Sequence, residues 1–342
     1  MNILNLLILS IVFIIISVIT TSFIRDFSIK KNLLDIPNNR SSHTVPKPKG
    51  GGIAIIIPFL ITILVLFFCE MIDVAITKSL ITGLIFVALV GLVDDYKNLS
   101  ATVRMIVYLI SAGISLYFIG GLKSISINEY SYYLGNIGYY LGILFLVWLI
   151  NLYNFMDGTD GFAGVQTICV SVFCFFLLYL SNNTSLSIIM LCLASSSIGF
   201  LYWNWAPAKI FMGDVGSCTI GFLFGVFSIY TENEGVISII VWTILLAPFI
   251  GDTTLTLIKR ISNNEKWYQA HNTHAYQKLH QCGVSHDELA LKLFLVNILL
   301  IWPLAYFAHT YQNYSLFMLI LSYILMAAIW LLIQVKHKEI TQ

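Results

Sequence analysis

Two adjacent carboxylates, Asp94 and Asp95 in "VGLVDDYKNLS", end an apolar stretch. Acids at a helix C-terminus oppose the macrodipole at about 0.3–1 kcal/mol each, and neighbouring like charges worsen it. Either this is an ordinary water-facing helix end, or a cation or a group being deprotonated stabilises the pair. Asp157 and Asp160 lie in "NLYNFMDGTDGFAG", each followed by glycine. Asn151, Asn154 and Asp157 are one turn apart and would share a helix face, and glycine lets backbone come close to a ligand. A calcium-like loop or a simple turn would use the same acids, but would not need two asparagines one turn apart ahead of them. In "AKIFMGDVGSCTIGF", Asp214 with Ser217 reads as an N-cap signature. That helix start, preceded by Lys209, also suits an anion, or a metal bridging phosphates. In "QAHNTHAYQKLH", His271 and His274 share a face if helical, in a loop that also holds Lys259, Arg260, Lys266 and Lys278. The set leans towards phosphate; zinc lacks a third ligand at suitable spacing. "NRSSHTVPKPKGGGIA" brings Arg40, His43, Lys47 and Lys49, two prolines and three glycines, which suits an anion or simply reflects positive-inside bias.

The elements that must position these residues are membrane helices. The chain of 342 residues is 58% hydrophobic and 10% charged, against about 25% charged in soluble domains, and its mean hydropathy is +0.86. A net charge of +1 excludes nothing by itself. The six cysteines fall mostly in apolar runs and read as small core residues rather than a disulfide framework. A span needs about 20 mainly apolar residues. Eleven segments qualify: 2–24, 51–69, 78–93, 104–122, 136–155, 161–181, 185–205, 215–231, 236–258, 288–309 and 314–334. The first has no basic residue before it and reads as a retained span rather than a signal peptide. Sixteen of the eighteen Lys and Arg residues fall on one side, with only Lys78 and Lys123 on the other. That bias puts the N-terminus outside and the C-terminus in the cytoplasm. The fold expectation is therefore an all-α polytopic membrane protein of about eleven spans. Residues 1–342 read as a single integral membrane domain, without internal repeats, and "ISINEYSYYLG" as a small outer hairpin.

All the motifs fall on the inner side, although topology was set from Lys and Arg alone. Carboxylates with basic and glycine-rich loops on one membrane face are what metal-assisted phosphoryl transfer needs. At a lipid boundary, the substrates would be a lipid phosphate and a cytosolic nucleotide. Asp252 stands apart, within the ninth segment. Intramembrane acids usually face the protein interior, and Asp252 shares a face with Thr256 and Lys259 that is expected to turn towards the site.

The motifs "VDDYKNL", "NLYNFMDGTDGFAG" and "FMGDVGS", in that order, resemble the polyprenyl-phosphate N-acetylhexosamine-1-phosphate transferases (MraY/WecA-like, glycosyltransferase family 4). The resemblance runs from about Arg40 to Leu279. It implies transfer of a sugar-1-phosphate from a UDP-N-acetylated sugar to undecaprenyl phosphate, releasing UMP, with Mg²⁺ as cofactor and Mn²⁺ as a substitute. Asp94 and Asp95 match the family's catalytic pair, and Asp94 is a candidate metal ligand alongside Asp214, which matches the Mg²⁺ aspartate. Asn151, Asn154, Asp157 and Asp160 match the nucleotide-sugar loop, with the two aspartates taken as catalytic. His274 is the catalytic histidine and His271 a substrate ligand, in a loop where "AHNTHAYQKL" departs from the commonest acid–arginine–histidine pattern. Lys47, Lys49, Lys209 and Arg260 complete the substrate-binding set. "RSSHTVPKPKGGG" and "HAYQ" look like the branch that starts O-antigen or capsule chains, often on 6-deoxy sugars. The remaining expectations are the bacterial inner membrane, a bilayer environment, no nucleic-acid partner and a homodimer. The rival class is a transporter or lipid-carrier flippase, which would place acids near the bilayer midplane in repeated halves.

Overall fold

The computed structural model describes residues 2–37, 42–266 and 271–341. Arg40 lies outside them. In chain order the helices are α1 (Ile3–Lys30), α2 (Ile53–Phe68), α3 (Val74–Lys97), α4 (Ala101–Ile119), α5 (Ile137–Phe155), α6 (Phe162–Leu180) and α7 (Thr184–Asn204). There follow α8 (Asp214–Asn233), α9 (Ile239–Leu245), α10 (Ala247–Ser262), α11 (Ala275–Gln281), α12 (His286–Val296), α13 (Trp302–Thr310) and α14 (Ser315–Thr341). Strands are confined, among the described residues, to two antiparallel pairs. One joins β1 (Leu34–Asp35) to β2 (Lys47–Pro48). The other, β3 (Ser124–Ile127) with β4 (Tyr130–Tyr133), is the small hairpin expected from sequence.

Each of the eleven apolar segments contains helix, but not all are uniform spans. Among the described residues nine helical runs are long and apolar enough to cross a membrane, or ten if α9 and α10 count as one bent span. The remaining segment, 51–69, holds α2, which has only 16 residues, short of the usual length for a crossing. The 76° bend between α9 and α10 has a local cause. Pro248 stands in the first turn of α10; it has no N–H to donate and its ring clashes with the preceding turn, so the helix must restart. Pro303 acts similarly where α12 passes through a π-helical turn, Asn297–Ile301, into α13.

α8 is the most enclosed of the spans, whereas α1 and α14 bury the least. α3 and α5 both pack along α8, and the apolar core runs continuously from Ile55 in α2 to Met326 in α14. The approach of α3 to α8 depends on Gly91: a Cβ there would lie 2.7 Å from the Val215 backbone, closer than real Cβ atoms come. The ends of α1, α3 and α5 meet the starts of α2, α6 and α8 at one end of the bundle. At the other end, the β3–β4 hairpin is tied to α8, with Ser126 N–H donating to the buried Glu232 carboxylate at 2.7 Å.

Candidate active site at one end of the helix bundle

The last turn of α3 and the first of α8 form one unit. Helix starts leave N–H groups without intrahelical partners. At α8 the Asp95 carboxylate fills that need, accepting from the N–H of Asp214 at 3.0 Å and of Val215 at 3.1 Å. This corrects the expected Asp214 cap. The cap position is Gly213, at φ +76°, where a Cβ would come within 2.5 Å of an Asp95 oxygen. Asp214 is instead the first helical residue. Its Oδ1 accepts from Asn154 Nδ2 at 2.8 Å and its Oδ2 from Arg104 Nη1 at 3.3 Å. Arg104 also donates to Asp94 Oδ2 at 2.7 Å, while Asp94 Oδ1 accepts from the Leu99 N–H. The electrostatic cost of two adjacent acids at a helix end is thus met in two ways: Arg104 answers Asp94, and the α8 start answers Asp95. Asp94 is buried behind the cleft rather than lining it.

The cleft has a volume of about 340 Å³. Asp95, Asp157, Asp160 and Asp214 all line it, with Asn154, Lys49, His43 and His271. The loop between α5 and α6 separates its two acids sharply. Asp160 is buried, and its Oδ2 meets the Ala208 N–H at 2.9 Å, Lys47 Nζ at 3.3 Å and His286 Nδ1 at 3.4 Å. Burial alone would raise its pKa, but His286, the Ala208 N–H and Lys47 outweigh that and hold it below the ordinary carboxylate value. Asp157 accepts no hydrogen bond among the described residues. Its pKa is pushed well above the usual range, first by burial and then by the carboxylates of Asp214, Asp95 and Asp160. Asp160 is an anchored acid, and Asp157 an acid whose charge the described residues leave unmet.

The expected shared face of Asn151, Asn154 and Asp157 is only partly realised, because α5 ends at Phe155. Asn154 enters the cleft and reaches Asp214 and Ser217, whereas Asn151 donates to Val147 O of its own helix at 2.7 Å. Two residues that sequence reading passed over hold the neighbouring loops. Asn204 Oδ1 accepts the Gly161 N–H at 3.0 Å while its Nδ2 donates to Ile210 O at 2.9 Å. Arg104, noticed only for its sidedness, is the clamp between the two acidic motifs. A basic residue one turn into the helix after "VDDYKNLS" was the available signal.

His271 and His274 do not share a helical face, because both precede α11; their rings lie 4.7 Å apart. His271 lines the cleft, and burial, then His274 and Arg260, lower its pKa to about 4, so it is neutral at pH 7. His274 is buried at the N-cap of α11, with Nδ1 3.7 Å from Asp252. The Asp252 carboxylate accepts the N–H groups of Ala275 at 2.8 Å and Tyr276 at 3.2 Å, and the Thr256 hydroxyl at 3.0 Å. Asp252 was expected to turn towards the site; it does not line the cleft itself, and it caps α11, the helix that follows the histidines. Lys259 leaves that arrangement and donates to Gln334.

The basic residues divide. Lys49 pairs with Asp35 at 3.1 Å; burial would lower its pKa, but Asp35 and then Asp95 and Asp214 raise it, so it stays charged. Lys47 holds Asp160 from beside the cleft. Arg260 faces away, paired with Glu265 at 2.9 Å and donating to Lys266 O. Lys209 is exposed, lying over the rings of Tyr202 and Trp203. Among the described residues no three His, Cys, Asp or Glu side chains converge into a ready metal cage. The carboxylates that face the cleft with capacity to spare are those of Asp157 and Asp214.

Residues 77–232 match the model of the family described as glycosyl transferase family 4. Over 290 residues the chain is 32% identical to a probable undecaprenyl-phosphate N-acetylglucosaminyl 1-phosphate transferase of Bacillus subtilis, covering 82% of this chain and 79% of the relative. It is 28% identical to a decaprenyl-phosphate N-acetylglucosaminephosphotransferase of Mycolicibacterium smegmatis, over 82% and 77% of the two chains. A phospho-N-acetylmuramoyl-pentapeptide-transferase of Orientia tsutsugamushi is also 28% identical, over 74% and 77%. The family match spans all three acidic motifs and the helices that join them. This chain is a multi-pass membrane transferase and belongs to the polyprenyl-phosphate N-acetylhexosamine-1-phosphate transferases of glycosyl transferase family 4.

Proposed function

We propose that the protein transfers an N-acetylhexosamine-1-phosphate from its UDP derivative to undecaprenyl phosphate. The products are undecaprenyl-diphospho-sugar and UMP. The reaction takes place at the cytoplasmic face of the bacterial inner membrane and starts an envelope glycan such as O-antigen or capsule. The observation that carries the reading is Asp157, without a hydrogen-bond partner among the described residues, in a cleft that also presents Asp214, Lys49, His43 and the neutral His271. Four carboxylates around one cleft repel an incoming diphosphate unless a cation intervenes. Mg²⁺ generally takes only one or two protein carboxylates, so the site would not require a three-residue cage, which is absent among the described residues. Asp157 and Asp214 would hold it, and it supplies charge neutralisation on the diphosphate. Asp94, whose oxygens are taken by Arg104 and Leu99, serves better as support than as a ligand.

The chain's own residues position the reaction. Lys49 and His43 bind phosphate oxygens. Asn154 and Arg104 fix the Asp214 carboxylate from two sides, and Asp95 fixes the α8 start. His271, being neutral, orients by hydrogen bonding. A lipid-phosphate oxygen forms a bond to the β-phosphorus, in line, as the bond from that phosphorus to the bridging oxygen breaks and UMP leaves. A phosphate monoester has a second pKa near 6 and is largely ionised at pH 7, so positioning and charge neutralisation outweigh any base.

The B. subtilis and M. smegmatis relatives are named for N-acetylglucosamine. UDP-N-acetylglucosamine is therefore to be tested beside UDP-N-acetylfucosamine, UDP-N-acetylquinovosamine and UDP-N-acetylmuramoyl-pentapeptide. Purified protein with undecaprenyl phosphate and Mg²⁺ is expected to release UMP from at least one UDP-N-acetylhexosamine, and Mn²⁺ to replace Mg²⁺. UMP release that does not need the lipid would overturn the proposal, as would no release from any of the four.

A further inference from the structure

Lys259 on α10 and Lys278 on α11 turn their ammonium groups onto one atom, Oε1 of Gln334 on α14. Lys259 Nζ lies 2.9 Å from that oxygen, and Lys278 Nζ donates to it as well. Two cations at one amide oxygen repel each other, and among the described residues neither forms an ion pair. The nearby acids are spent, because Asp252 caps α11 and Glu265 pairs with Arg260. Burial, and then Lys259, lowers the Lys278 pKa. Gln334 is only 7% exposed, and its Nε2 is buried with no hydrogen-bond partner among the described residues. An ordinary positive-inside lysine extends its ammonium into water; these two turn inward onto a buried amide. N–H donors from three helices therefore gather around a single acceptor.

The cluster stands at the same end of the bundle as the cleft but outside it. Gln277, next to Lys278, lines the cleft, whereas Lys259, Lys278 and Gln334 do not. On α14 the exposed Leu331, Leu332 and Val335 suit lipid, and Lys336 and Lys338 follow them. Trp330, one turn before Gln334, has its ring centroid 5.5 Å from Lys259 Nζ, and tryptophan favours the headgroup level of a membrane. The spare donors thus lie at the depth of lipid phosphates. Donors in excess of acceptors are the complement of an oxyanion, and a phosphate offers several oxygens to ammonium and amide N–H groups at once. We propose that Lys259, Lys278 and Gln334 hold a phosphate-bearing anion that bridges α10, α11 and α14. The phosphodiester of an anionic phospholipid and free inorganic phosphate share this chemistry. The bound anion gives α11 a second tether, one turn beyond the Asp252 cap. It touches none of the groups assigned to the transfer reaction, so the site stands or falls apart from that reading.

The test reads thermal unfolding of the full chain in phosphate-free buffer, in nanodiscs of phosphatidylcholine with or without phosphatidylglycerol. Phosphatidylglycerol is expected to raise the wild-type Tm by about 2–5 °C. The gain should vanish in Lys259→Gln/Lys278→Gln. It should persist in Lys30→Gln/Lys336→Gln, which removes as much charge from exposed positions. Inorganic phosphate, added to phosphatidylcholine discs at matched ionic strength, separates the sources. The same gain with the same dependence on the two lysines assigns the site to free phosphate; a gain with phosphatidylglycerol alone assigns it to the headgroup. A second measurement needs no variant. Acetylation of lysines in the folded wild type, followed by mass spectrometry, is expected to slow about fivefold at Lys259 and Lys278 when the anion is present, and to stay unchanged at Lys30 and Lys336. An equal Tm gain in Lys259→Gln/Lys278→Gln would overturn the proposal, as would no gain from either anion, or equal slowing at all four lysines.

Discussion

Asp157 and Asp160 are three residues apart, and the structure gives them opposite tasks that one pair of substitutions separates. Asp160→Asn removes the charge that holds Lys47, His286 and the Ala208 N–H together. Hydrogen bonds to a charged group are worth roughly 1.5–3 kcal/mol, and breaking a buried pair strands its partner. Lys47 retains some access to water, so a net loss of about 2–4 kcal/mol is reasonable, a fall of roughly 5–10 °C in Tm. Asp157→Asn removes a charge that nothing among the described residues compensates, so in the absence of divalent cation it is expected to raise Tm at pH 7 while lowering kcat by about 10²–10³. The pH dependences differ in sign. The Asp160 pKa is depressed in the fold, so its stabilisation is full above about pH 4 and fades as pH falls below that. The Asp157 pKa is raised, so the folded chain binds the proton more tightly, and wild-type stability declines as pH rises from about 4 through its folded pKa. The Tm gain of Asp157→Asn should therefore grow with pH over that window, and added Mg²⁺ should raise the wild-type Tm more than the variant's. Thermal unfolding in detergent from pH 4 to 8, with UMP release at pH 7.5, reads both. Equal Tm losses in the two variants, or full activity in Asp157→Asn, would refute the division of labour.

Three further substitutions test the frame around the cleft. Gly91→Ala sets a Cβ against the Val215 backbone and should push α3 from α8, lowering kcat at least tenfold with a Tm loss of about 1–3 kcal/mol equivalent; an unchanged kcat would contradict the rigid α3–α8 junction. Arg104→Gln leaves Asp94 buried without its cation and frees Asp214; the expected result is a loss of about 3–5 kcal/mol in stability and a raised Mg²⁺ requirement, and a variant with wild-type Mg²⁺ dependence would show that Arg104 does not orient Asp214. Asp252→Asn weakens the cap on α11 by about 1 kcal/mol or more and should raise KM for the UDP-sugar more than it lowers kcat, because the segment it holds carries His271 and Gln277, which both line the cleft; full activity and stability together would remove it from the site.

The polytopic helical class was readable from composition and run length, because apolar helices in a membrane need little tertiary context. The α9–α10 break was also written in the chain, at Pro248, but the uniformly apolar run hid it. The acids that cluster were identifiable as chemistry; their individual roles were not. Asp94 and Asp95 look alike in sequence, yet one faces Arg104 and the other a helix 119 residues away. Asp214 seemed a cap because Asp at a helix start usually is one; here a distant carboxylate caps, leaving Asp214 to face the cleft. The histidine spacing gives a shared face only in a helix, and a helix that begins at Ala275 excludes both. Lys209 stands out by its place before a helix start and Arg260 by its basic loop, and neither feature distinguishes a phosphate ligand from a cation lying on aromatic rings or paired with Glu265.

The central claim is that a phosphorus atom moves with the sugar. UDP-N-acetylhexosamine labelled at the β-phosphate, supplied with undecaprenyl phosphate and Mg²⁺, follows that atom directly. Sugar-1-phosphate transfer sends the label into the lipid product, in equal amount to unlabelled UMP. Label that stays in the nucleotide as UDP, with sugar alone on the lipid, would contradict the account.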